Sequence, residues 1–372
     1  MRRFFVVLLA VMFAVVFDSV ACTSAIVSAQ RSSEGAPLLW KHRDNSFSNT
    51  RVDYITGGKY AYTAIVPNNK NYRKIVYAGI NEVGLGVITT ATKHLPKATP
   101  EEWEACERRR VKGSLSCRAL RECATVDEFE EMLKAEKRAR GFHSNLGIAD
   151  AFGAVAYFEI WDLGYCRYDV DSRGEGFDVR ANFSHAGNPD KKGASERRYD
   201  LIMKKMGAHS GKFEPHQFID YSRSYESLKY GNVLASKEQY ICRNHTVPRV
   251  TTVGAFVIVC DGKNPRMLVM NGHSVSSLAV PVYVQAKEQI PQCVRGGAMR
   301  SLSEDFRQKA YRGVANNLNI LNKPLVRKVL KIKHPKVSMP KTMPDDIRAF
   351  NAAIDKQFTK HERRVRRVLA KF

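Results

Sequence analysis

The sequence predicts an α+β fold in which helices pack on stacked antiparallel β-sheets. Short β-branched or apolar segments occur in pairs joined by turn residues, which is typical of antiparallel hairpins. Helical patterns occur in blocks between these pairs, which favours α+β over alternating β-α-β units. The chain has 372 residues, of which 44% are hydrophobic and 26% charged, so it can bury a sizeable core and is not a disordered or low-complexity chain.

Four strand pairs are predicted along the chain. The first begins at Cys22 with a short β-branched run, turns at Arg31–Gly35 and returns through Pro37–Trp40. The other three have the same form, with a turn between the two strands of each pair: Ile75–Gly79 with Leu85–Thr90, Leu146–Ala149 with Ala154–Trp161, and Val253–Cys260 with Met267–Met270.

Two helices are predicted from capping and periodicity. The residues Thr125-Val-Asp-Glu128 form a capping box, and apolar residues follow it at helical spacing. The segment from Ser195 to Met206 places Tyr199, Ile202 and Met206 on one helical face.

Residues 1–21 have the pattern of a secretory signal peptide. Arg2 and Arg3 precede an unbroken apolar run from Phe4 to Phe17, and small residues stand at Ser19 and Ala21, the −3 and −1 positions of a cleavage site. The run is shorter than the roughly 18 apolar residues of a membrane-spanning helix. We therefore expect a mature chain that begins at Cys22 and is exported, either periplasmic or secreted.

A lipoprotein signal is the alternative interpretation of the same residues. Such a signal also ends before a cysteine, but a large aliphatic residue usually stands where this chain has Ser19. A lipidated Cys22 would have no free thiol, so the two fates exclude each other.

The chain has eight cysteines. Export permits disulfides, but the spacing does not give their connectivity. If Cys22 stays free, seven remain and at least one more must be unpaired. No Cys or His cluster has the spacing of a zinc site, so we expect no metal and no other cofactor.

The C-terminal stretch from Lys323 to Phe372 is strongly basic, with 15 Lys and Arg against 4 Asp and Glu. Its end carries Val365, Val368, Leu369 and Phe372 at helical spacing, an apolar stripe on a basic helix. We expect a solvated helical appendage; the alternative is contact with an anionic membrane, envelope surface or polymer. Aromatic residues are sparse here, so binding of nucleic acid is not expected, although the net charge of the chain is +23.

A cysteine at a processed N-terminus can act as a small catalyst. Its thiol is the nucleophile, and its own α-amine can accept the thiol proton and deliver it to a leaving amine. Such a site also needs cationic neighbours for the thiol and an oxyanion hole for the tetrahedral intermediate.

A series of short motifs follows Cys22 along the chain. They are Cys22-Thr-Ser, Trp40-Lys-His-Arg-Asp44, Ala78-Gly-Ile-Asn-Glu-Val-Gly-Leu-Gly86, Ile148-Ala-Asp-Ala-Phe-Gly153 with Tyr157-Phe-Glu159, Arg180-Ala-Asn-Phe-Ser184 and Ser195-Glu-Arg-Arg198-Tyr. In this order the series resembles the N-terminal-nucleophile (Ntn) amidases of the choloylglycine hydrolase, penicillin V acylase and isopenicillin N acyltransferase group. The resemblance extends from Cys22 to about Lys287.

The resemblance implies a four-layer αββα sandwich of two antiparallel sheets and cleavage of a linear, non-peptide amide through an acyl-cysteine. It implies that Cys22 is the nucleophile and, through its own α-amine, the acid and base. It also implies that Asp44 holds the N-terminal amine and orients the thiol. It also implies that the Asn182 side chain donates to the oxyanion and that Arg198 supports the site, with Arg197 as the neighbouring candidate.

Two positions depart from the family pattern. Lys41 stands where the family often has arginine; it keeps the charge but loses the bidentate fork, for which Arg43 can compensate. The second oxyanion-hole position falls near Thr90, which can donate through its backbone N–H.

We predict an Ntn-hydrolase domain over residues 22–322 and a basic helical extension over residues 323–372. The leading hypothesis is an exported amidase that needs no cofactor and acts on a small-molecule N-acyl amide, such as a bile-salt-like or penicillin V-like compound. The alternatives are an acyltransferase that uses the same acyl-cysteine and a non-catalytic binding lipoprotein with Cys22 lipidated. Since relatives often assemble, the resemblance is also compatible with a homo-oligomer.

Overall fold

The computed structural model describes residues 22–69, 75–105, 114–136, 143–170, 174–187, 195–237, 240–242, 245–315, 318–332 and 334–372. The expected leader, residues 1–21, lies outside the described residues, and so does Cys106. No described helix is both long enough and apolar enough to cross a bilayer.

The first large sheet has six antiparallel strands, numbered here along the chain. Their order across the sheet is β10 (Phe177–Arg180), β1 (Thr23–Val27), β2 (Leu38–Asp44), β14 (Thr252–Val259), β15 (Arg266–Met270) and β16 (Val280–Tyr283).

The second large sheet is a seven-stranded antiparallel meander, in which each strand pairs with its neighbour in the chain. Its strands are β3 (Thr50–Ile55), β4 (Tyr62–Pro67), β5 (Ala78–Asn81), β6 (Gly86–Ala91), β7 (Ser144–Ala149), β8 (Val155–Ile160) and β9 (Tyr165–Asp169). Two small sheets complete the strands: β11 (Glu226–Ser227) with β12 (Gly231–Asn232), and β13 (Tyr240–Cys242) with β18 (Leu318–Leu321) and β17 (Tyr311–Ala315).

The described residues form nine α-helices: α1 (Pro100–Ala105), α2 (Leu115–Glu122), α3 (Val126–Lys134), α4 (Glu196–Gly207), α5 (Pro215–Arg223), α6 (Gln292–Arg295), α7 (Ala298–Ala310), α8 (Lys323–Lys331) and α9 (Ile347–Leu369).

The two large sheets stack face to face because alternate residues of each strand are apolar. Ile26 and Leu39 of the first sheet share one buried core cluster with Ile65 and Ile88 of the second sheet. Since side chains alternate between the faces of a strand, the neighbouring residues of β1 and β2 point to the opposite face. Each fully buried aliphatic side chain of this kind contributes about 1.5–3 kcal/mol to folding.

Helices cover the outer face of each sheet. Trp40 of β2 packs with Ile202 and Met206 of α4 and Phe218 of α5, on the outer side of the first sheet. A separate apolar cluster joins the second sheet to α2 and α3. The order of layers is therefore helix, sheet, sheet, helix, and the predicted αββα sandwich is confirmed.

The local predictions hold with small shifts of boundary. Each of the four predicted strand pairs is an antiparallel hairpin, although the strand expected from Ile75 begins at Ala78. The Thr125 hydroxyl accepts from the Glu128 backbone N–H at 3.0 Å and caps α3 as predicted.

The C-terminal helices pack against the body of the molecule. Phe358, Val365 and Leu369 of α9 belong to the same buried cluster as the core between the sheets, together with apolar residues of α7 and α8. Val365 is 0% exposed and Leu369 is 4% exposed. The expectation of a solvated appendage is therefore wrong for the apolar stripe, because that stripe is covered by the neighbouring helices. The domain division at residue 322 stays a prediction.

Among the described residues, six cysteines are free thiols: Cys22, Cys117, Cys123, Cys166, Cys260 and Cys293. The expectation that at least one thiol besides Cys22 is unpaired is confirmed.

Candidate active site

Strand register brings Cys22 and Asp44 together. In the antiparallel pairing of β1 with β2, Thr23 lies opposite His42, so the residue before β1 meets the end of β2. Cys22 is buried, and its Sγ lies 3.8 Å from the backbone oxygen of Asp44. Cys22 and Asp44 are therefore neighbours because β1 and β2 pair in this register.

The Asp44 carboxylate lies in a buried cradle of donors. Oδ1 accepts from the Thr252 hydroxyl at 2.8 Å and lies 3.4 Å from His42 Nε2, while Oδ2 lies 3.0 Å from Arg249 Nε. Burial alone would raise the pKa of Asp44, but the positive charge of Arg249 and the His42 ring hold this pKa below its ordinary value. Asp44 is therefore a carboxylate at neutral pH and can hold an ammonium group.

Arg198 joins three parts of the site. It lies in the first turn of α4, where its Nη1 donates to the Cys22 carbonyl oxygen and to Thr23 Oγ1, both at 2.6 Å. Its Nη2 donates to Asn182 Oδ1 at 3.1 Å. Burial, with the repulsion of Arg249, lowers the pKa of Arg198 to about 9. The neighbouring candidate Arg197 is exposed, so Arg198 is the arginine that reaches the site.

Asn182 follows β10 on a loop that two side-chain amides hold in place. Its Nδ2 donates to the backbone oxygen of Ala91 at 2.6 Å, which uses one of the two amide hydrogens. Asn145 Nδ2 donates to the carbonyl oxygens on both sides of Asn182, at 3.1 Å to Ala181 and 3.2 Å to Phe183. The Asn182 side chain is therefore fixed close to Arg198 and, through it, to Cys22.

Two cationic side chains of β2 lie on the side of the strand that faces the second sheet. Lys41 is 2% exposed, and its Nζ lies 3.5 Å from Thr89 Oγ1. Arg43 stacks over the Tyr77 ring at 4.0 Å and donates to the Phe47 carbonyl oxygen at 3.1 Å. Burial lowers the pKa of both Lys41 and Arg43.

The Thr90 side chain of β6 is already hydrogen-bonded to Ser24 of β1. Its hydroxyl donates to Ser24 Oγ at 3.0 Å, and Tyr157 donates to the same oxygen at 2.9 Å. The role of Thr90 as a second oxyanion donor stays a prediction.

Sequence reasoning missed three members of the cradle: Arg249, Thr252 and His42. Thr252 lies directly opposite Asp44 in the pairing of β14 with β2, and its hydroxyl accepts from the Arg249 backbone N–H at 2.9 Å. The available signal was the run Val247-Pro-Arg-Val-Thr-Thr252 immediately before a strong strand pattern. His42 stands inside the motif Trp40–Asp44, between the candidate residues Lys41 and Asp44.

No family model matches the sequence, and no curated protein matches it. The chain is similar to several solved structures. An N-acylethanolamine-hydrolyzing acid amidase ortholog from Caenorhabditis elegans is 18% identical with a TM-score of 0.43, over 64% of this chain and 93% of that one. A variant of conjugated bile acid hydrolase from Clostridium perfringens is 10% identical with a TM-score of 0.43, over 71% of this chain and 93% of that one. Penicillin V acylase from Agrobacterium tumefaciens is 14% identical with a TM-score of 0.42, over 71% and 86% of the two chains.

Proposed function

We propose that this protein is an exported amidase that cleaves a linear N-acyl amide through an acyl-Cys22 intermediate. The observation that carries the proposal is the buried arrangement of the Cys22 thiol beside Asp44, whose carboxylate is held by Arg249 and Thr252. A thiol, an ionised carboxylate and fixed amide and guanidinium donors are the groups that acyl transfer requires.

The reaction begins with attack of the thiolate on the amide carbonyl carbon. The carbon–sulfur bond forms, the carbon–nitrogen bond breaks, and water then hydrolyses the thioester. Arg198 connects the Cys22 carbonyl to the Asn182 side chain, so the nucleophile and the proposed oxyanion donor keep a fixed separation. Removal of residues 1–21 would free the α-amine of Cys22 near Asp44. This amine takes the thiol proton, gives it to the leaving nitrogen as the carbon–nitrogen bond breaks, and in the second half takes a proton from the attacking water and returns it to the departing thiolate.

Loss of the Cys22 thiol is the first test. The chain that starts at Cys22 is incubated with a panel of N-acyl p-nitroanilides, including phenoxyacetyl and long-chain acyl groups. We expect Cys22→Ala to lower turnover at least 1000-fold, as removal of a nucleophile generally does. Cys166→Ala is the matched control, since Cys166 is another free thiol, on β9, and should keep full activity. Full turnover by Cys22→Ala would contradict the proposal.

The same assay separates hydrolysis from acyl transfer. An added primary amine that captures the acyl group in preference to water would identify an acyltransferase.

A diacylglyceryl adduct on Cys22 of the protein isolated from an exporting host would instead support the lipoprotein alternative. Self-association stays a prediction, which light scattering of the mature chain would check.

We also propose that the basic face of α9 contacts an anionic surface. Its exposed basic residues include Lys356, Lys360, Arg363, Arg364 and Arg367, and Lys371 follows just after the helix. Because the apolar side of α9 is buried, this contact would be electrostatic and would weaken with salt. We expect binding to vesicles with anionic lipid, but not to neutral vesicles, and loss of binding when four of these residues are changed to Glu. Equal binding by a variant with Lys59 and Lys97 changed to Glu is the control, and unchanged binding by the α9 variant would contradict the proposal.

A further inference from the structure

A row of polar side chains crosses the inner face of the second sheet. Thr90 of β6 lies opposite Asn145 of β7, and Asn145 lies opposite Glu159 of β8. Residues that lie opposite each other in antiparallel strands point to the same face, and the hydrogen bond from Thr90 to Ser24 of β1 shows that this face is turned toward the first sheet. All three side chains are buried, and Glu159 is 0% exposed. Polar groups in such a place need partners, which the segment after β10 provides.

Glu159 binds the far end of the loop that carries Asn182. This Asn182 loop, residues 181–187, follows β10 directly. Both carboxylate oxygens of Glu159 accept from the His185 backbone N–H at 2.9 Å, and Oε2 also accepts from the Ala186 backbone N–H at 2.7 Å. Because hydrogen bonds to a carboxylate are among the stronger ones in proteins, Glu159 fixes the backbone of the loop to β8.

Asn145 binds the near end of the same loop. Its Nδ2 donates to the carbonyl oxygens of Ala181 and Phe183, at 3.1 and 3.2 Å. The two neighbours in the row therefore divide the loop between them: Asn145 satisfies carbonyl groups at one end, and Glu159 satisfies N–H groups at the other. Glu159 also has a cationic neighbour, since Arg180 Nε lies 3.3 Å from Oε1 and both side chains are 0% exposed.

The anchored loop determines where the Asn182 amide points. Asn182 Oδ1 accepts from Arg198, and one hydrogen of Nδ2 is donated to the Ala91 carbonyl oxygen. The other hydrogen of Nδ2 is the one that can donate to an oxyanion, and its direction follows from the position of the loop backbone. A misplacement of about 1 Å in such a group can cost about 100-fold in rate. Glu159 can therefore influence the reaction without touching the substrate.

We propose, on the basis of the proposed amidase function, that Glu159 is a positioning residue for the acylation of Cys22. Its carboxylate holds the Asn182 loop from the side of the second sheet, so that the Asn182 amide meets the oxyanion as it forms. Glu159 exchanges no proton in this role, because its oxygens are occupied by two backbone N–H groups. Its effect on the rate therefore exists only while Asn182 can donate.

Two variants alter the anchor in complementary ways. Glu159→Gln keeps the length but loses the charge and one acceptor oxygen, whereas Glu159→Asp keeps the charge but withdraws both oxygens from the loop. The acylation burst at saturating p-nitrophenyl ester is measured, because this leaving group keeps slow variants measurable. We expect the burst rate constant to fall about 10-fold in both, with the half-saturating concentration changed less than about 2-fold. Glu130→Gln is the matched control and should keep the full rate, since Glu130 of α3 pairs with Arg167 at 2.7 Å on the outer side of the same sheet.

The same substitutions in an Asn182→Leu background separate positioning from a general structural loss. There we expect Glu159→Gln and Glu159→Asp to change the burst rate constant less than about 2-fold, because the donor that Glu159 positions is already absent. Hydrogen exchange in the peptide that covers residues 181–187 should be faster in both Glu159 variants than in the unchanged chain.

Two results would overturn the inference and leave the proposed function intact. One is the same loss of rate in both backgrounds, and the other is a full burst rate or unchanged loop exchange in a folded Glu159→Asp chain. An unchanged chain that alkylates at Cys22 but acquires no acyl group would overturn the proposed function itself. Far-ultraviolet circular dichroism and the rate of Cys22 alkylation by iodoacetamide show whether each variant is folded.

Discussion

The Arg249 Nε lies 3.0 Å from the Asp44 carboxylate, and the two side chains are 4% and 0% exposed. Asp44 ends β2, whereas Arg249 comes from the segment before β14, so this contact joins two distant parts of the chain through neighbouring strands. Thr252 strengthens the connection, since its hydroxyl donates to Asp44 and accepts from the Arg249 backbone. The orientation of the proposed site therefore depends on an interaction that forms only when the first sheet is complete.

Removal of Arg249 alone should destabilise the protein strongly. Arg249→Met leaves the Asp44 charge buried without its main partner, which typically costs about 3–5 kcal/mol. The combined variant Arg249→Met with Asp44→Asn should recover part of this loss, because it removes both charges. The free energies of unfolding from urea titrations of the four chains give the coupling energy. Lys360→Met on the exposed face of α9 is the control, with an expected change within about 0.5 kcal/mol. Additive losses at Arg249 and Asp44 would show that the pair is not coupled.

Asn182 should matter for the rate of acylation more than for substrate binding. Asn182→Leu keeps the approximate volume but removes the amide donor, so we expect kcat to fall about 100- to 1000-fold with a small change in KM. Stopped-flow kinetics with the preferred p-nitroanilide check this. Asn145→Leu, which removes only the support of the Asn182 loop, should lower kcat less. Equal kcat values for the Asn182 variant and the unchanged chain would remove Asn182 from the oxyanion role.

Acid should loosen the attachment of α9. The rings of His334 and His361 lie 4.8 Å apart, and His361 Nε2 contacts the Ser276 carbonyl oxygen at 2.8 Å. Burial, with the charges of Arg223 and His361, lowers the pKa of His334 to about 3, whereas the ordinary value is 6.5. Because this pKa is lower in the folded state, the stabilising contribution is complete above pH 6.5 and is lost progressively between pH 6.5 and pH 3.

The histidine contribution can be isolated with His334→Gln, which keeps a side-chain donor but does not titrate. The unchanged chain should lose about 2 kcal/mol more than this variant between pH 7 and pH 5, since each pH unit below the unfolded pKa costs about 1.4 kcal/mol per histidine. Urea unfolding at the two pH values measures the difference. The same loss in both chains would show that His334 does not govern the acid sensitivity.

The parts of the fold that depend on local pattern were predictable. Alternation and turn residues predict the hairpins, and the Thr125 cap predicts the start of α3. The pairing of the first two strands explains why Cys22 and Asp44 meet. Contacts between remote segments were not predictable in this way. Thr252 and Asp44 are 208 residues apart, and only the order of strands across the first sheet places them side by side.

The C-terminal helix α9 is a second case in which the local pattern does not identify the contact partner. Periodicity identified the apolar stripe that contains Val365 and Leu369, but a stripe indicates only that something covers it. The covering surface is formed by α7 and α8, and no local pattern specifies that choice. Lys41 is a third example, since the sequence shows its residue type and position, whereas its burial is a property of the packed sheets.

Trapping the acyl group on Cys22 tests the central claim most directly. The mature chain is mixed with its best p-nitroanilide substrate, quenched in acid within milliseconds to seconds, and analysed by intact mass and peptide mapping. The account predicts one acyl group on the peptide that begins with Cys22, in a thioester that hydroxylamine removes, and no adduct in Cys22→Ala. An acyl group on another residue would contradict the account. So would turnover that leaves Cys22 unmodified and persists in the Cys22→Ala variant.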